Sequence, residues 1–216
     1  MKLENTVINF LGDSITEGVG TSAEDKRYFE VMKKKYNIGE VNGYGISGTR
    51  IARQMDSETE GRWFCSRYNE MKDSADIIVV FGGTNDYGHG DAPLGSFSDR
   101  TDETFYGACH TLFSGLINKY PDSVIVIMTP LHRCDENNLY GDGSKKQEMY
   151  PLITYVDVIR EVAQFYSLPV CDLYSNSGIQ PENEKQKELF MPDGLHPNDA
   201  GNARIAERLG DFLLSL

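Results

Sequence analysis

The sequence of 216 residues lacks long hydrophobic runs. Its longest apolar runs match single strands and fall far short of the ~20 residues that a helix needs to cross a bilayer. At the N-terminus, Glu4 and Asn5 interrupt any apolar run, and no small-residue cleavage site follows a hydrophobic stretch. We therefore expect a soluble, cytoplasmic protein with no membrane span and no secretory signal.

Positive charge is scarce as well: 21 Lys and Arg residues stand against 33 Asp and Glu, a formal net charge of −12. The acidic residues are scattered along the chain, so the surface should repel the phosphates of nucleic acids and the headgroups of anionic lipids. This balance argues against nucleic acid as a partner. It leaves the oligomeric state open.

Cysteine is sparse, with four residues far apart in the chain and no CxxC pair: Cys65, Cys109, Cys134 and Cys171. This spacing fits neither a zinc knuckle nor a dithiol redox motif. We expect buried free thiols.

The four histidines lack the HxH and HExxH spacings that are typical of metal sites. We therefore predict no metal and no other cofactor. One weaker alternative is metal-assisted hydrolysis, because four metal-ligating residues lie in loops that should face the same crevice: His89, Asp91, His132 and Asp135.

Three short runs are apolar, interrupted only by Asn9, and rich in β-branched residues: 7–11, 77–81 and 124–128. Such runs suit strands that are buried on both faces, as in a parallel sheet. Two weaker candidates, 40–44 and 168–173, complete a set of five strands.

Apolar residues at helical spacing between these runs predict amphipathic helices over 105–120, from Pro151 to Tyr166, after Pro197 to the C-terminus, and over 27–36. Asp102 and Glu103 should lie in the first turn of the helix at 105–120. Strands that alternate with helices predict one α/β domain, residues 1–216, whose ligands bind at the carboxyl ends of the strands. Two long irregular stretches, 87–100 and 131–150, are typical of lids or binding walls.

The first candidate for chemistry follows the first predicted strand, where the chain reads GDSIT from Gly12 to Thr16. Ser14 should then stand at the carboxyl edge of the sheet, where its hydroxyl can face a crevice. Alone, Gly-Asp-Ser is also ordinary turn chemistry, because all three residue types favour turns. Ser14 therefore becomes a candidate nucleophile only together with other groups.

A candidate base lies near the other end, where residues 191–198 read MPDGLHPN. A turn at Gly194 can bring the Asp193 carboxylate to one ring nitrogen of His196, which leaves the other nitrogen able to take a proton from a hydroxyl. The alternative is a helix entrance with an incidental histidine, since a proline and an asparagine follow directly.

Two further motifs offer hydrogen-bond donors. Residues 81–86 read FGGTND, and the side-chain amide of Asn85 can face a developing oxyanion; residues 42–50 read NGYGISGTR and offer the backbone N–H of Gly48. Alone, the first also suits an ordinary strand end and the second a flexible loop.

Acyl transfer needs a nucleophile, a base, a group that orients the base, and donors aimed at the carbonyl oxygen as it becomes negative. The chain supplies all four, each after a different predicted strand. Together these residues resemble the SGNH hydrolase family, also called GDSL-like esterases, whose blocks contribute Ser, Gly, Asn and His in that order. The resemblance covers residues 12–198, nearly the whole chain, through GDSIT, GGTND and DGLHPN.

The resemblance implies a flavodoxin-like three-layer α/β/α fold with a five-stranded parallel sheet. It implies that Ser14 is the nucleophile, with His196 as base and Asp193 as the acid of the family's DxxH motif. The oxyanion hole would consist of the Ser14 and Gly48 backbone amides and the Asn85 side chain. The first block reads GDSI where the family name has Leu, an exchange that leaves the nucleophile in place.

Other readings are weaker. Thr16 occupies the place of the second glycine of GxSxG, which disfavours the α/β-hydrolase fold. Residues 43–48 match GxGxxG and 18–23 match a variant of it, but lone matches of this kind are weak evidence for a nucleotide-binding module. A sugar-binding domain without catalysis, suggested by the 12 Tyr residues, leaves the Ser, Asp and His without a joint purpose.

The two long loops, 87–100 and 131–150, should contact the substrate and determine its specificity. They are polar, rich in glycine and carry tyrosine, without an apolar stripe. We therefore expect a small-molecule or carbohydrate ester as substrate, with a short acyl group such as acetyl on a polar alcohol. Lysophospholipase and thioesterase activities, both found in the family, are the alternatives.

Overall fold

The computed structural model describes residues 1–55 and 61–216, and these form one parallel sheet. Its strands are β1 (Val7–Gly12), β2 (Glu40–Gly45), β3 (Ile77–Phe81), β4 (Val124–Met128) and β5 (Val170–Cys171). They lie in the order β2-β1-β3-β4-β5, and every neighbouring pair is parallel. The predicted five-stranded parallel sheet is confirmed.

The central strands form where the sequence is apolar on both faces of the sheet. Along β3, Ile77, Val79 and Phe81 pack into one core, whereas Ile78 and Val80 pack into the other. This alternation follows from the two-residue period of a strand. A strand that is covered on both sides therefore reads as a continuous apolar run.

Helices cover both faces. In chain order they are α1 (Ser14–Glu17), α2 (Tyr28–Tyr36), α3 (Phe64–Arg67), α4 (Thr84–His89), α5 (Phe105–Lys119), α6 (Leu152–Phe165), α7 (Leu173–Asn176), α8 (Glu184–Phe190) and α9 (Asp199–Ser215). The apolar faces of α2 and α9 fill one core, and those of α5 and α6 fill the other. The predicted three-layer α/β/α fold is confirmed. None of the described helices is both long and apolar enough to span a membrane.

Several boundaries differ from the prediction. β5 contains only two residues rather than 168–173, because it is an edge strand whose pairs with β4 are Val170 and Cys171 alone. The stretch 87–100 is not irregular throughout, since α4 continues to His89. Asp102 and Glu103 precede α5, whose N-cap is Thr104, so its first turn contains no acidic residue. The stretch 131–150 contains neither helix nor strand, as expected.

The cysteine prediction holds in part. All four cysteines are free thiols; Cys109 and Cys171 are buried, while Cys65 and Cys134 are only half-buried.

The register of the sheet brings the functional segments to one edge. Gly12 at the end of β1 pairs with Gly45 on one side and with Phe81 on the other. Phe81 pairs in turn with Met128, which pairs with Cys171. All five strands therefore end in one row, and the segments that contain Ser14, Gly48 and Asn85 leave the sheet at the same edge.

Candidate active site

Ser14 is the first residue of α1, directly behind the end of β1. The preceding Asp13 is the N-cap, and its carboxylate accepts a hydrogen bond from the backbone N–H of Ile15 at 3.0 Å. This cap fixes the direction of the short helix. Ser14 itself is only 6% exposed, so its hydroxyl lies at the carboxyl edge of the sheet, largely shielded from solvent.

The histidine loop folds as the sequence predicts. Gly194 adopts a positive φ of 80°, a left-handed turn that a residue with a side chain rarely takes. Around this turn, Asp193 Oδ1 accepts hydrogen bonds from the backbone N–H groups of Leu195 at 2.8 Å and His196 at 2.7 Å. The other carboxylate oxygen lies 2.7 Å from His196 Nδ1. The loop therefore holds the carboxylate and the imidazole in one fixed arrangement.

The fold joins this loop to Ser14. His196 Nε2 lies 3.0 Å from Ser14 Oγ, although the two residues are 182 positions apart in the chain. With Nδ1 donating to the Asp193 carboxylate, Nε2 is left as the acceptor for the serine hydroxyl proton. The structure thus brings the three residues into a continuous Ser–His–Asp chain of hydrogen bonds.

The electrostatics favour an ionised Asp193. Partial burial acts to raise its pKa, but the hydrogen bonds from the His196 and Leu195 backbone and from the His196 ring outweigh that effect, so the pKa lies below its usual value. A negative carboxylate beside Nδ1 stabilises an imidazolium whenever the ring takes up a proton.

Asn85 and Gly48 lie on opposite sides of β1, the strand that precedes Ser14. Asn85 follows β3, and Gly48 follows β2. The Asn85 amide donates one hydrogen bond to the Thr49 carbonyl oxygen at 3.0 Å, which leaves its second N–H available. Across residues 1–55 and 61–216, the backbone N–H groups of Ser14 and Gly48 have no protein acceptor. All three predicted donors therefore retain an N–H for a ligand.

The loop that carries Gly48 is held in place by charged residues that are not among the predicted site residues. Glu17, at the end of α1, accepts hydrogen bonds from the backbone N–H and the hydroxyl of Ser47. The buried Asp86 accepts from the N–H groups of Ile51 and Ala52, both at 2.9 Å. These carboxylates fix the loop at both ends, with Gly48 between them.

Arg67 is the third anchor. Its guanidinium donates to the Gly12 carbonyl oxygen at 2.6 Å, to the Tyr44 carbonyl oxygen at 2.7 Å and to Thr49 Oγ1 at 3.1 Å. It thereby ties the ends of β1 and β2 to the Gly48 loop. Arg67 and Asp86 are charged residues at positions that the fold buries, and burial is known only once the fold is known. Glu17 stays exposed, and its contact with Ser47 depends on the folded position of the loop.

Two buried carboxylates, Asp13 and Asp86, adjoin the site residues Ser14 and Asn85 in the chain. Burial, reinforced by the charge of Asp86, raises the pKa of Asp13 to about 7 despite the opposing Ile15 hydrogen bond and the Arg67 charge. Burial also raises the pKa of Asp86 above its usual value, and it lowers that of Arg67 to about 10. Removing these charges from water destabilises their ionised forms.

The sequence profile of the GDSL-like Lipase/Acylhydrolase family matches residues 10–204. The chain belongs to this family. The resemblance seen in the motifs is thus confirmed, and the chain is a hydrolase that acts on ester bonds. A comparison with curated proteins found no match.

Solved structures share the fold of this GDSL-like protein. One is 32% identical, with a TM-score of 0.87 over 100% of this chain and 99% of that chain. A protein from Lactobacillus plantarum is 30% identical, with a TM-score of 0.84 over 98% of both chains. The acetyl xylan esterase AlAXEase is 20% identical and has the same fold, with a TM-score of 0.64 over 95% of this chain and 98% of that chain.

Three of the four residues behind the metal alternative, all but Asp135, form separate pairs in this GDSL-like hydrolase. His89 Nδ1 lies 3.1 Å from Asp142, His132 Nδ1 lies 2.9 Å from Glu136, and Asp91 pairs with a neighbouring arginine. In the part of the chain that the structure describes, no three His, Cys, Asp or Glu residues are grouped as a metal site requires.

The glycine motif of the nucleotide-binding alternative does not form a phosphate turn. Gly43 and Gly45 lie inside β2, whereas a dinucleotide fingerprint places its glycines in the turn between a strand and a helix.

Proposed function

We propose that the chain is a serine esterase in which Ser14 is the nucleophile, His196 is the base and Asp193 orients the base. The observation that carries this proposal is the chain of two short contacts, 3.0 Å from Ser14 Oγ to His196 Nε2 and 2.7 Å from His196 Nδ1 to Asp193. Both distances allow hydrogen bonding in the resting enzyme, as a nucleophile and its base require.

In the first half of the reaction, His196 Nε2 takes the hydroxyl proton of Ser14 while Oγ attacks the ester carbonyl carbon. The carbonyl oxygen becomes an oxyanion, which accepts hydrogen bonds from the Ser14 and Gly48 backbone N–H groups and from the Asn85 amide. His196 then returns its proton to the departing alcohol oxygen, and the acyl group remains on Ser14.

In the second half, a water molecule takes the place of the alcohol. His196 removes one of its protons as the water oxygen attacks the acyl carbon of Ser14. When the intermediate collapses, the carbon–Oγ bond breaks and the proton on His196 passes to Oγ. The products are a carboxylic acid and free enzyme, so no cofactor is needed.

We further propose that the substrate carries a short acyl group, such as acetyl, on a polar alcohol such as a carbohydrate. The support is the chemistry beside the site: Arg50, His89 and Lys145 line a cavity of about 540 Å³ next to the Gly48 loop. A long acyl chain needs an apolar channel instead. The fold shared with an acetyl xylan esterase agrees with this choice.

A panel of esters tests the proposal. Acetyl, butyryl and octanoyl esters of one alcohol, together with an acetyl thioester, should give the highest kcat/KM for the acetyl ester. Ser14→Ala should abolish turnover of all of them, whereas Ser215→Ala, an exposed serine at the end of α9, should not change it. A preference for octanoyl or thioester would favour a lysophospholipase or a thioesterase, and activity in folded Ser14→Ala would overturn the serine mechanism.

A further inference from the structure

The cavity beside the Gly48 loop adjoins the proposed catalytic groups but does not contain them. His89, in its wall, has Nε2 3.4 Å from the Gly48 carbonyl oxygen. Lys145, also in the wall, has Nζ 3.2 Å from the carbonyl oxygen of Asp86, the residue after Asn85. Two residues of the cavity wall therefore contact the segments that carry two of the proposed oxyanion donors.

The charge of the described lining of this cavity is opposite to that of the molecule. The described lining carries three basic side chains that are cationic at neutral pH, Arg50, Lys145 and Lys146, and one carboxylate, Asp91. Asp91 pairs with Arg50 at 3.2 Å, and the nearby Asp142 carboxylate lies against His89 at 3.1 Å. The whole chain, in contrast, has 33 acidic and 21 basic residues. A positive cavity on such a surface attracts anions selectively.

Because Arg50 pairs with Asp91, Lys145 and Lys146 are the cations of the described lining that are left to bind a ligand. Within the described residues neither forms an ion pair, and Lys146 is exposed. The Nζ of the half-buried Lys145 contacts neutral groups, the Asp86 carbonyl oxygen and the Tyr155 hydroxyl, both at 3.2 Å.

Partial burial destabilises the charged form of Lys145. Burial lowers its pKa to about 8, although the charges of Asp86 and Asp142 act in the opposite direction. The Tyr155 ring, 5.2 Å from Nζ, supplies part of the missing stabilisation. An anion in the cavity would supply the rest, since a charged donor forms its strongest hydrogen bonds with a charged acceptor.

We propose that this cavity binds an anionic group, a carboxylate or a phosphate, on the alcohol part of the ester substrate. This inference rests on the proposed esterase function, because it places the anion next to the carbonyl that Ser14 attacks. It narrows the substrate class from polar alcohols to acidic ones, such as a sugar acid or a sugar phosphate. The anion stays bound to Lys145 and Lys146 while the acyl group is transferred.

Matched substrates provide the kinetic test. We compare the acetyl esters of methyl glucoside, of the corresponding methyl glucuronoside and of glucose 6-phosphate. The two anionic esters should have a kcat/KM about tenfold or more above that of the neutral ester, as expected for one added charge-assisted contact. The kcat/KM values of the glucuronoside ester and of the glucose 6-phosphate ester show whether the cavity prefers a carboxylate or a phosphate.

Variants assign the effect to the cavity. Lys145→Gln and Lys146→Gln should each lower the ratio of anionic to neutral kcat/KM, and the double variant should lower it about tenfold. Lys145→Arg should keep the ratio. The control is Lys2→Gln, which removes the same charge from an exposed position before β1, at the opposite edge of the sheet, and should leave the ratio unchanged.

Direct binding separates this inference from the proposed function. Folded Ser14→Ala protein should bind methyl glucuronoside or glucose 6-phosphate in calorimetry more tightly than methyl glucoside, and adding both Lys145→Gln and Lys146→Gln should remove the difference. Equal binding of all three, or a preference that survives both lysine substitutions, would overturn the cavity assignment even if the esters are hydrolysed. Anion binding without hydrolysis of any ester would instead overturn the esterase proposal and the substrate assignment that depends on it.

Discussion

The side-chain amide of Asn85 donates a hydrogen bond to the backbone oxygen of Thr49 at 3.0 Å. Thr49 follows Gly48 directly, so this one bond connects two proposed oxyanion donors that come from different strands. The amide plane of Asn85 is thereby fixed, and its second N–H keeps one direction. A fixed donor stabilises a developing charge without reorganisation during the reaction.

Replacing this donor should impair the chemical step. We expect Asn85→Ala to lower kcat by ~10²-fold or more, because one oxyanion donor is lost, while the protein still folds. Steady-state kinetics and thermal unfolding measure the two effects. The matched control is Asn42→Ala in β2, which loses the side-chain hydrogen bond to Asn9 at 3.1 Å and should keep its kcat. Wild-type turnover in Asn85→Ala would show that the oxyanion role is wrong.

Asp193→Asn should reduce turnover with little change in the loop. The asparagine oxygen can still accept the backbone bonds from Leu195 and His196. Its amide nitrogen, however, would face His196 Nδ1 and favour the tautomer that carries the proton on Nε2, where Ser14 needs an acceptor. We expect kcat to fall by ~10²- to 10⁴-fold. An unchanged kcat in the folded variant would remove Asp193 from the proposed triad.

The central sheet was predictable because its signal is local. β1, β3 and β4 are buried on both faces, and each therefore appears in the sequence as an apolar run, which only Asn9 in β1 interrupts. β5 was predicted too long because an edge strand ends where its neighbour stops pairing with it, and this depends on the register with β4. The helix α4 was missed because Thr84–His89 consists of residues that disfavour helices.

The site was predictable for a different reason. Ser14, Gly48, Asn85, Asp193 and His196 stand in short motifs whose order matches that of one family, and the fold brings Ser14 and His196 within 3.0 Å. Among the anchors, Asp86 is part of the GGTND motif, which gives no indication of its anchoring role, whereas Glu17 and Arg67 lie outside the motifs. Arg67, for example, acts through Gly12, which is 55 positions away in the chain. Its role is visible only in the folded protein.

The buried Asp13 should make the enzyme less stable as pH rises. Its pKa is about 7 in the folded protein against an ordinary value of 3.8, so folding favours the protonated form. The resulting stability is fully present below about pH 4 and is lost as pH rises through about 7. Asp13→Asn keeps an oxygen for the Ile15 N–H but cannot ionise.

We therefore expect the melting temperature of Asp13→Asn, relative to wild type, to rise by several degrees between pH 5 and pH 8. Thermal unfolding at the two pH values measures it. Asp122→Asn, a substitution at an exposed position, should show no such trend. A relative melting temperature of Asp13→Asn that falls or stays constant over this range would contradict the assignment.

Selectivity for an acidic alcohol should itself depend on pH through Lys145. Its pKa is lowered to about 8 by burial, so the ammonium is charged below this pH and neutral above it. The ratio of kcat/KM for the glucuronoside ester to that for the neutral ester should therefore fall as pH rises from 7 to 9.5. The glucuronoside carboxylate keeps its charge over this range, and any pH effect that is common to both esters cancels in the ratio.

The same measurement on Lys145→Arg distinguishes this lysine from other groups. Arginine stays protonated over the whole range, so the variant should keep its preference at pH 9.5, whereas the preference of the wild type declines. His89, in the same cavity wall, is unchanged in the variant. A preference that falls equally in both proteins would assign the pH dependence to another group in the cavity and remove Lys145 as its cause.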